Sequence, residues 1–203
     1  MIKNIIKNMN EFNSTDKKIM RATFRILQKE GFAKATTKKI AAEAEVNEVT
    51  IFRKFQNKNN LVETTKEYYL QILLKQLEEI FDFNEDDEID DYFQKNFIEL
   101  LDRSDKDFRI VKIALEEVRE IPDKKQLISR ITDTVINKLE DFFKLQIEKG
   151  KIRAVDSRVL AGMCFSLTFQ SVILWKIYDK SQDVESDQIA REFLDILYNG
   201  IKA

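Results

Sequence analysis

Glycine and proline are too scarce in this chain for a fold built on tight turns. Only four glycines and one proline occur among its 203 residues. Antiparallel sheets reverse direction often, and their turns depend on these two residue types. Long helices joined by short loops need few of either. The sequence therefore predicts an all-α fold.

Apolar residues recur with the period of a helix along most of the chain. In the first clear helix, predicted from Lys17 to Gly31, they fall at spacings of three and four. Ser14 or Thr15 is the predicted N-cap, and Gly31 suits the left-handed residue that ends a helix. Two short helices follow, and Asn47 is the predicted cap of the second. Longer helices are then predicted at Lys58–Phe81, Ile89–Leu101, Lys106–Ile121, Lys124–Lys149, Asp156 or Ser157 to Tyr178, and Ser186–Asn199. Asn57 is the predicted cap of the first of these, and Gly150 the predicted stop of the fourth.

Histidine is absent and Cys164 is the only cysteine, which removes whole classes of chemistry. Without histidine the chain can build neither a Ser-His-Asp nor a Cys-His nucleophilic site. A Cys/His zinc site and the Glu-x-x-His sites of di-iron bundles are excluded for the same reason. No glycine-rich phosphate-binding loop is present. We expect no enzyme activity, no metal and no cofactor, and we interpret Cys164 as a buried structural thiol.

Charged residues are distributed unevenly. Residues 1–66 contain 14 Lys and Arg against 7 Asp and Glu, and the remaining residues contain 20 against 29, which together give the net charge of −2. A basic front joined to an acidic back is typical of a protein that meets phosphate at one end. No apolar run approaches the ~20 residues that span a bilayer, and the first residues are too polar for a signal peptide. The expectation is a cytoplasmic protein without a membrane partner.

Two short predicted helices, Ile40–Ala44 and Glu48–Lys54, are separated by only a few residues. This is the spacing of a helix-turn-helix, in which the first helix braces the second across the major groove of DNA. The outward positions of the second helix are Glu48, Val49, Thr50, Arg53 and Lys54. Such side chains reach phosphates and base edges together. From the pattern alone, a helical hairpin with a basic face that binds no DNA stays an alternative.

A longer stretch carries a family pattern. Its parts are Lys-Ile-Met-Arg-Ala-Thr-Phe-Arg-Ile-Leu-Gln-Lys-Glu-Gly-Phe from residue 18, Thr36-Thr37, Ile40-Ala41, Val46-Asn47, Thr50-Ile51-Phe52 and Phe55-x-Asn57-Lys58-x-x-Leu61. In order and spacing, residues 18–61 resemble the DNA-binding domain of the TetR (tetracycline-repressor-like) regulators. The resemblance implies a helix-turn-helix domain over residues 1–60, joined by a long helix to a helical ligand-binding and dimerisation domain over residues 61–203. It also implies a homodimer that binds a double-stranded DNA operator, most often as a repressor, and responds to a small-molecule inducer.

The resemblance assigns contacts position by position. Thr37 matches a phosphate contact at the start of the bracing helix, and Lys58 matches a lysine that holds the DNA backbone where the fourth helix begins. In the family, the second helix of the helix-turn-helix is the recognition helix. Four positions of this sequence match recognition-helix positions that touch DNA, namely Asn47, Thr50, Arg53 and Lys54. With the outward Glu48 and Val49, the predicted DNA-binding residues are Thr37, Asn47, Glu48, Val49, Thr50, Arg53, Lys54 and Lys58.

Three residues depart from the family pattern. Phe52 replaces the usual tyrosine, so a phosphate-binding hydroxyl is missing and the ring is expected only to pack. Glu45 replaces the usual turn glycine, which costs strain if that backbone is left-handed. Val49 replaces another glycine and either touches a thymine methyl or blocks close approach. These departures leave an alternative open, a helical protein-interaction module with lost or weakened DNA binding.

The back half carries the features of a sensing and dimerising domain. Its last two predicted helices each bear a broad apolar stripe, which favours a four-helix interface between two subunits, with a monomeric core as the alternative. Members of the family place an inducer pocket among the helices of the back half. The aromatic residues of these helices suit an apolar or amphipathic ligand. Any one of these rings can equally belong to a plain core. The predicted ligand-binding residues are Phe93, Phe97, Phe108, Phe142, Phe143 and Trp175.

Overall fold

The computed structural model describes residues 9–102, 109–117, 127–173 and 186–199, and most of the chain in these ranges is helical. A 3-10 turn at Met9–Glu11 precedes the first helix, and the described ranges contain no strand. The helices are α1 Ser14–Lys34, α2 Thr37–Glu43, α3 Glu48–Phe55, α4 Lys58–Ile80, α5 Ile89–Asp102, α6 Arg109–Glu117, α7 Leu127–Glu148, α8 Ser157–Val172 and α9 Ser186–Asn199. The predicted all-α fold is confirmed. No helix in the described ranges is both long and apolar enough to cross a membrane.

The chain divides into two compact units, Met1–Leu73 and Leu74–Ala203. The division falls inside α4, so this helix contributes residues to both units. The domain boundary predicted from the sequence, after residue 60, lies near the start of the same helix.

A capping box fixes the start of α1. The side chain of Asn13 accepts a hydrogen bond from the backbone N–H of Asp16 at 3.0 Å, and the Asp16 carboxylate accepts one from the backbone N–H of Asn13 at 3.1 Å. Two N–H groups that a helix start leaves free are thereby satisfied. The predicted caps Ser14 and Thr15 are therefore wrong, because Asn13 takes that role just before them. Gly31, with a φ of +74°, interrupts the helix where a left-handed stop was predicted.

Aliphatic side chains from four helices form the core of the first unit. Ile19 of α1, Ile40 of α2, Ile51 of α3 and Leu61 of α4 are all fully buried. Burying side chains of this size stabilises the unit by about 1.5–3 kcal/mol each, relative to leaving them exposed. The core therefore holds α2 and α3 in a fixed arrangement on α1.

Aromatic rings form the core of the second unit. Tyr92 of α5 stacks on Phe142 of α7 with ring centroids 3.9 Å apart, and the ring of Phe93 lies 5.6 Å from that of Phe143. Both phenylalanines of α7 are fully buried. The Tyr92 hydroxyl donates a hydrogen bond to the backbone carbonyl of Phe81 at 3.0 Å. Ring pairs of this kind contribute about 0.5–1.5 kcal/mol each beyond their buried area.

A short hairpin joins α7 to α8. Gly150 has a φ of +70°, and its N–H donates to the carbonyl of Ile147 at 2.9 Å. The carboxylate of Asp156 caps α8 by accepting from the backbone N–H of Val159 at 2.9 Å. Both the glycine stop and the aspartate cap agree with the sequence pattern.

The acidic segment Asp82–Asp91, which the sequence predicts as an exposed connector between domains, links α4 to the first turn of α5. Lys138 Nζ lies 2.8 Å from the Asp82 carboxylate, and this hydrogen bond lowers the pKa of Asp82. Lys151 Nζ lies 2.7 Å from the carboxylate of Glu88. Exposed pairs of this kind contribute little to stability. The segment lies inside the second unit and does not separate the two compact units.

Candidate nucleic-acid interface

Helices α2 and α3 are each started by a side-chain cap. The Thr36 hydroxyl accepts from the backbone N–H of Lys39 at 3.2 Å, and the Asn47 side chain accepts from that of Val49 at 2.9 Å. Between the helices, the N–H of Val46 donates to the carbonyl of Ala41 at 3.0 Å. Caps and turn together produce the predicted helix-turn-helix, with α3 beginning at the residue after Asn47.

One face of α3 is buried and the other is open to solvent. Ile51 and Phe55 are buried, whereas Val49 is 70% exposed and Arg53 is also exposed. Phe52 is 46% exposed, so its side chain packs only in part against the rest of the unit. The open face thus combines a cation with apolar groups, which suits both phosphates and thymine methyls.

The turn between α2 and α3 carries a left-handed glutamate. Glu45 has a φ of +48°, a conformation that glycine adopts at no steric cost. Its carboxylate lies 2.7 Å from Lys18 Nζ, and the hydrogen bond from this lysine lowers the pKa of Glu45. The strain expected from the sequence is therefore present.

Thr37 and Glu48 join the starts of the two helices. The Thr37 hydroxyl donates a hydrogen bond of 2.5 Å to the Glu48 carboxylate. Thr37 lies in the first turn of α2 and Glu48 in the first turn of α3. Both residues were predicted to contact DNA, and in the free protein each bonds to the other.

Lys54 lies at the last turn of α3, but its ammonium points back into the unit. Its Nζ lies 2.8 Å from the Asp16 carboxylate and 3.4 Å from the side-chain oxygen of Asn13. The Lys54 side chain is only 18% exposed. The expectation that Lys54 faces outward is wrong, because an acceptor on α1 draws its side chain inward.

Lys58 opens α4 and contacts the end of α1. Its Nζ donates to the backbone carbonyl of Phe32 at 2.8 Å and lies 4.1 Å from the centroid of the Phe32 ring. The predicted cap is confirmed, since the Asn57 side chain accepts from the backbone N–H of Asn60 at 2.9 Å. Lys58 therefore joins the start of α4 to the end of α1 in the free protein.

The predicted DNA contacts fall into two groups. Exposed or half-exposed positions on α3 and its cap are Asn47, Val49, Thr50 and Arg53. Those whose side chains bond to a different helix of the unit are Thr37, Glu48, Lys54 and Lys58. Sequence reasoning missed Asp16 as a partner of this surface. Its place in an Asn-x-x-Asp capping pattern was visible, but its contact with α3 was not.

The predicted ligand residues lie in the aromatic core of the second unit, as far as the structure describes them. Phe93, Phe97, Phe142 and Phe143 are buried, whereas Phe108 and Trp175 lie outside the described residues. Sequence reasoning missed two buried amides beside these rings. The Asn96 amide, which is 2% exposed, lies close to the Tyr92 hydroxyl but has no partner with good hydrogen-bond geometry in the described ranges, and neither has Oε1 of the fully buried Gln146.

An apolar stripe runs along α8. Val159, Met163 and Leu167 are 61%, 60% and 56% exposed, and their spacing of four places them on one face of the helix. Ile196 of α9 is 50% exposed. By contrast, Cys164 is buried, and burial raises the pKa of its thiol to about 12.

A second helix that is exposed and partly cationic, held against the first by a buried core, is the arrangement of a helix-turn-helix DNA-binding protein. The sequence profile of the bacterial regulatory proteins of the tetR family matches residues 19–65. The uncharacterized HTH-type transcriptional regulator YvkB of Bacillus subtilis (strain 168) is 30% identical over 155 residues, which are 76% of this chain and 79% of that protein. This chain belongs to the tetR family. It is a transcriptional regulator and not an enzyme, as the sequence predicts.

Solved structures share the fold over nearly the whole chain. Salmonella enterica GusR superposes with a TM-score of 0.70 at 20% identity, covering 90% of this chain and 94% of that one. The regulator FadR from Bacillus subtilis, in complex with stearoyl-CoA, gives 0.66 at 21% identity and covers 92% and 99%. AibR, in complex with isovaleryl coenzyme A and operator DNA, gives 0.62 at 20% identity and covers 90% and 97%. These likenesses confirm the predicted fold, an N-terminal helix-turn-helix followed by a helical C-terminal domain.

Proposed function

We propose that this regulator is a ligand-responsive repressor that binds operator DNA as a homodimer and is released by a small apolar or amphipathic inducer. The exposed face of α3, on a helix-turn-helix held by a buried core, is the observation that carries the proposal. Residues 1–60 are proposed to bind DNA, and residues 61–203 to bind the ligand and to dimerise.

Arg53 is the proposed centre of DNA recognition. It is exposed on α3, next to the exposed Val49 and the half-exposed Thr50. An arginine in the major groove pairs with guanine or phosphate, and the methyl groups beside it contact thymine.

Arg53→Ala tests this role. The variant is expected to weaken operator binding by 1–3 kcal/mol, which is about 5- to 150-fold. Arg25→Ala, which removes an exposed arginine from α1, is the matched control and leaves affinity near that of the parent chain. Equal operator binding by the parent and Arg53→Ala would favour the alternative, a protein-interaction module.

The apolar stripe of α8 is the proposed dimer surface. Two recognition helices reach half-sites one helical turn apart only if a twofold dimer holds them. Val159, Met163 and Leu167 are exposed in the single chain, which supports burial against a second copy.

Met163→Asp tests the dimer, since a carboxylate in the middle of this stripe disfavours its burial. The variant is expected to sediment as a monomer and to lose operator affinity. Lys112→Glu on α6, an exposed position away from the stripe, is the control and is expected to sediment as the parent does. A Met163→Asp chain that remains a dimer would contradict the assignment.

The aromatic core, the Asn96 amide and the unpartnered Oε1 of Gln146 are the proposed sensing site. A buried amide without partners costs about 1–3 kcal/mol, and a ligand that supplies a donor or acceptor recovers this cost. Stearoyl-CoA on FadR and isovaleryl coenzyme A on AibR support a ligand that joins an acyl chain to polar groups.

Asn96→Leu tests the site because it keeps the size of the side chain and removes its polar atoms. The variant is expected to melt at a higher temperature than the parent, since an unsatisfied amide is gone. It is also expected to lose the thermal shift that stearoyl-CoA or isovaleryl coenzyme A gives the parent. Asn137→Leu, at an exposed amide of α7, is the control. A full ligand shift in Asn96→Leu would contradict the role of Asn96.

Helix α4 is the proposed link between ligand and DNA, because it contributes residues to both units. A ligand acts as an inducer only by binding one of two conformations better than the other. A coupling of ~1–3 kcal/mol corresponds to a 5- to 150-fold change in operator affinity. A saturating ligand that leaves operator affinity unchanged would rule out this link for that ligand.

A further inference from the structure

The ammonium of Lys54 is held inside the first unit, although this residue belongs to the recognition helix. The side chains of Lys54 and Asp16 are 18% and 8% exposed, with 2.8 Å between ammonium and carboxylate. In the neighbouring pair of Lys18 and Glu45, by contrast, the side chains are 44% and 80% exposed. A pair withdrawn from solvent is screened less and is more costly to break than an exposed one.

Asp16 is an acceptor that is already fixed in place. Its Oδ2 accepts from the backbone N–H of Asn13, while its own N–H donates to the Asn13 side chain. The capping box therefore holds the carboxylate whether or not Lys54 is present. The ion pair uses the other oxygen, Oδ1, and joins the last turn of α3 to the first turn of α1.

We propose that Lys54 is a positioning residue for DNA recognition, which acts through Asp16 to fix the angle of α3 on α1 and does not itself contact DNA. The helix is only eight residues long, and the exposed Arg53 lies in its last turn. A site that reads DNA needs side chains locked by their supporting contacts, and the ion pair supplies such a lock. The inference rests on the DNA-binding role proposed above.

The direction in which Asp16→Asn changes operator affinity distinguishes a positioning role of Lys54 from a direct contact with DNA. If Lys54 positions α3, loss of the carboxylate charge weakens operator binding, even though the unit becomes more positive. If Lys54 contacts phosphate, the same change frees a cation and binding stays equal or strengthens. Asparagine retains an acceptor for the Asn13 N–H, so the capping box is preserved.

Operator affinity is measured by fluorescence anisotropy on DNA from upstream of the protein's own gene. Asp16→Asn and Lys54→Met are each expected to lower the affinity about tenfold, and the double variant no further, because both remove the same interaction. The slope of log affinity against log salt concentration stays that of the parent chain, since no phosphate contact is lost. Glu43→Gln, which removes an exposed acid from the same unit, is the matched control and causes no loss.

Amide hydrogen exchange gives a second readout that needs no DNA. Exchange in residues 49–55 is expected to accelerate in Asp16→Asn and in Lys54→Met, but not in α7 of the second unit. Lys54→Arg, which retains a cation for Asp16, restores both the slow exchange and the affinity.

Equal or stronger operator binding by Asp16→Asn, or a salt slope lower by about one in Lys54→Met, would overturn the positioning role. Unchanged exchange in residues 49–55 would overturn it as well. If the parent chain binds upstream DNA, scrambled DNA and fragments selected from the whole genome equally, the proposed function fails instead, and the exchange experiment still decides whether Lys54 positions α3.

Discussion

Substitutions of Asn47, the N-cap of the recognition helix α3, distinguish a contribution to stability from a contact with DNA. The Asn47 side chain accepts a hydrogen bond from the backbone N–H of Val49 at 2.9 Å, and it is exposed at the proposed DNA surface. Asn47→Ala removes the acceptor and the amide together. Asn47→Ser keeps a capping oxygen of equal rank and removes only the longer amide.

The size of the effect follows from the cap. Loss of an N-cap side chain costs about 1 kcal/mol, and α3 has only eight residues with which to resist fraying. The first turn of α3 also holds Glu48, whose hydrogen bond from Thr37 weakens when that turn opens. Asn47→Ala is therefore expected to lower the free energy of unfolding of the first unit by about 1 kcal/mol, and Asn47→Ser by less than ~0.5 kcal/mol.

Urea denaturation and amide exchange in residues 49–55 measure the stability, and anisotropy measures operator affinity. If Asn47 also contacts DNA, the serine variant loses affinity while its stability is retained. Equal losses of stability in the alanine and serine variants would refute the capping argument. Parent-like affinity in the serine variant would leave Asn47 with a capping role alone.

Three further substitutions test the strain, the core and the thiol. Glu45→Gly relieves the strain of a left-handed backbone but removes an exposed ion pair with Lys18, and it is expected to raise the melting temperature. A lower melting temperature would show that the ion pair stabilises the protein by more than the strain destabilises it. Phe142→Ala leaves a cavity in the aromatic core and is expected to lower the free energy of unfolding by about 3–5 kcal/mol in urea, whereas a loss below 1 kcal/mol would mean that the ring is poorly packed. Because burial raises the pKa of the Cys164 thiol to about 12, its contribution to stability is complete below the unfolded value of about 8.5 and declines as the pH rises towards 12. The parent is thus expected to lose about 2 kcal/mol more than Cys164→Ala between pH 8 and pH 10 in urea denaturation, and equal losses would contradict burial of the thiol.

Local signals in the sequence were enough to place most helix starts. Asn47 and Asn57 were recognised as caps, and Asp156 as one of two candidate helix starts, because a capping side chain bonds within three residues of itself. The bounds of α9, Ser186–Asn199, agree with the prediction to the residue. Asn13 was missed because Ser14 and Thr15, which follow it, are equally good capping residues.

Side-chain orientations that depend on contacts between helices could not be predicted from the sequence. Periodicity placed Lys54 on the outer face of α3, but a carboxylate on α1 draws it inward, and no local pattern reveals that partner. Phe142 and Phe143 were singled out as aromatic residues of the back half, and both are buried. Aromatic residues suit a plain core as well as a ligand site, so their presence predicts burial without deciding between the two. The unpartnered amide of Asn96 is visible only once its surroundings are known.

Sequence-specific DNA binding is the central claim, and fluorescence anisotropy tests it most directly. The full chain is titrated against labelled DNA from upstream of its own gene and against scrambled DNA of equal length, each at two salt concentrations. The account predicts binding to the upstream DNA that is at least ~10³-fold tighter than to the scrambled DNA, and that weakens as salt rises. Equal, weak binding to both, repeated on fragments selected from the whole genome, would contradict it.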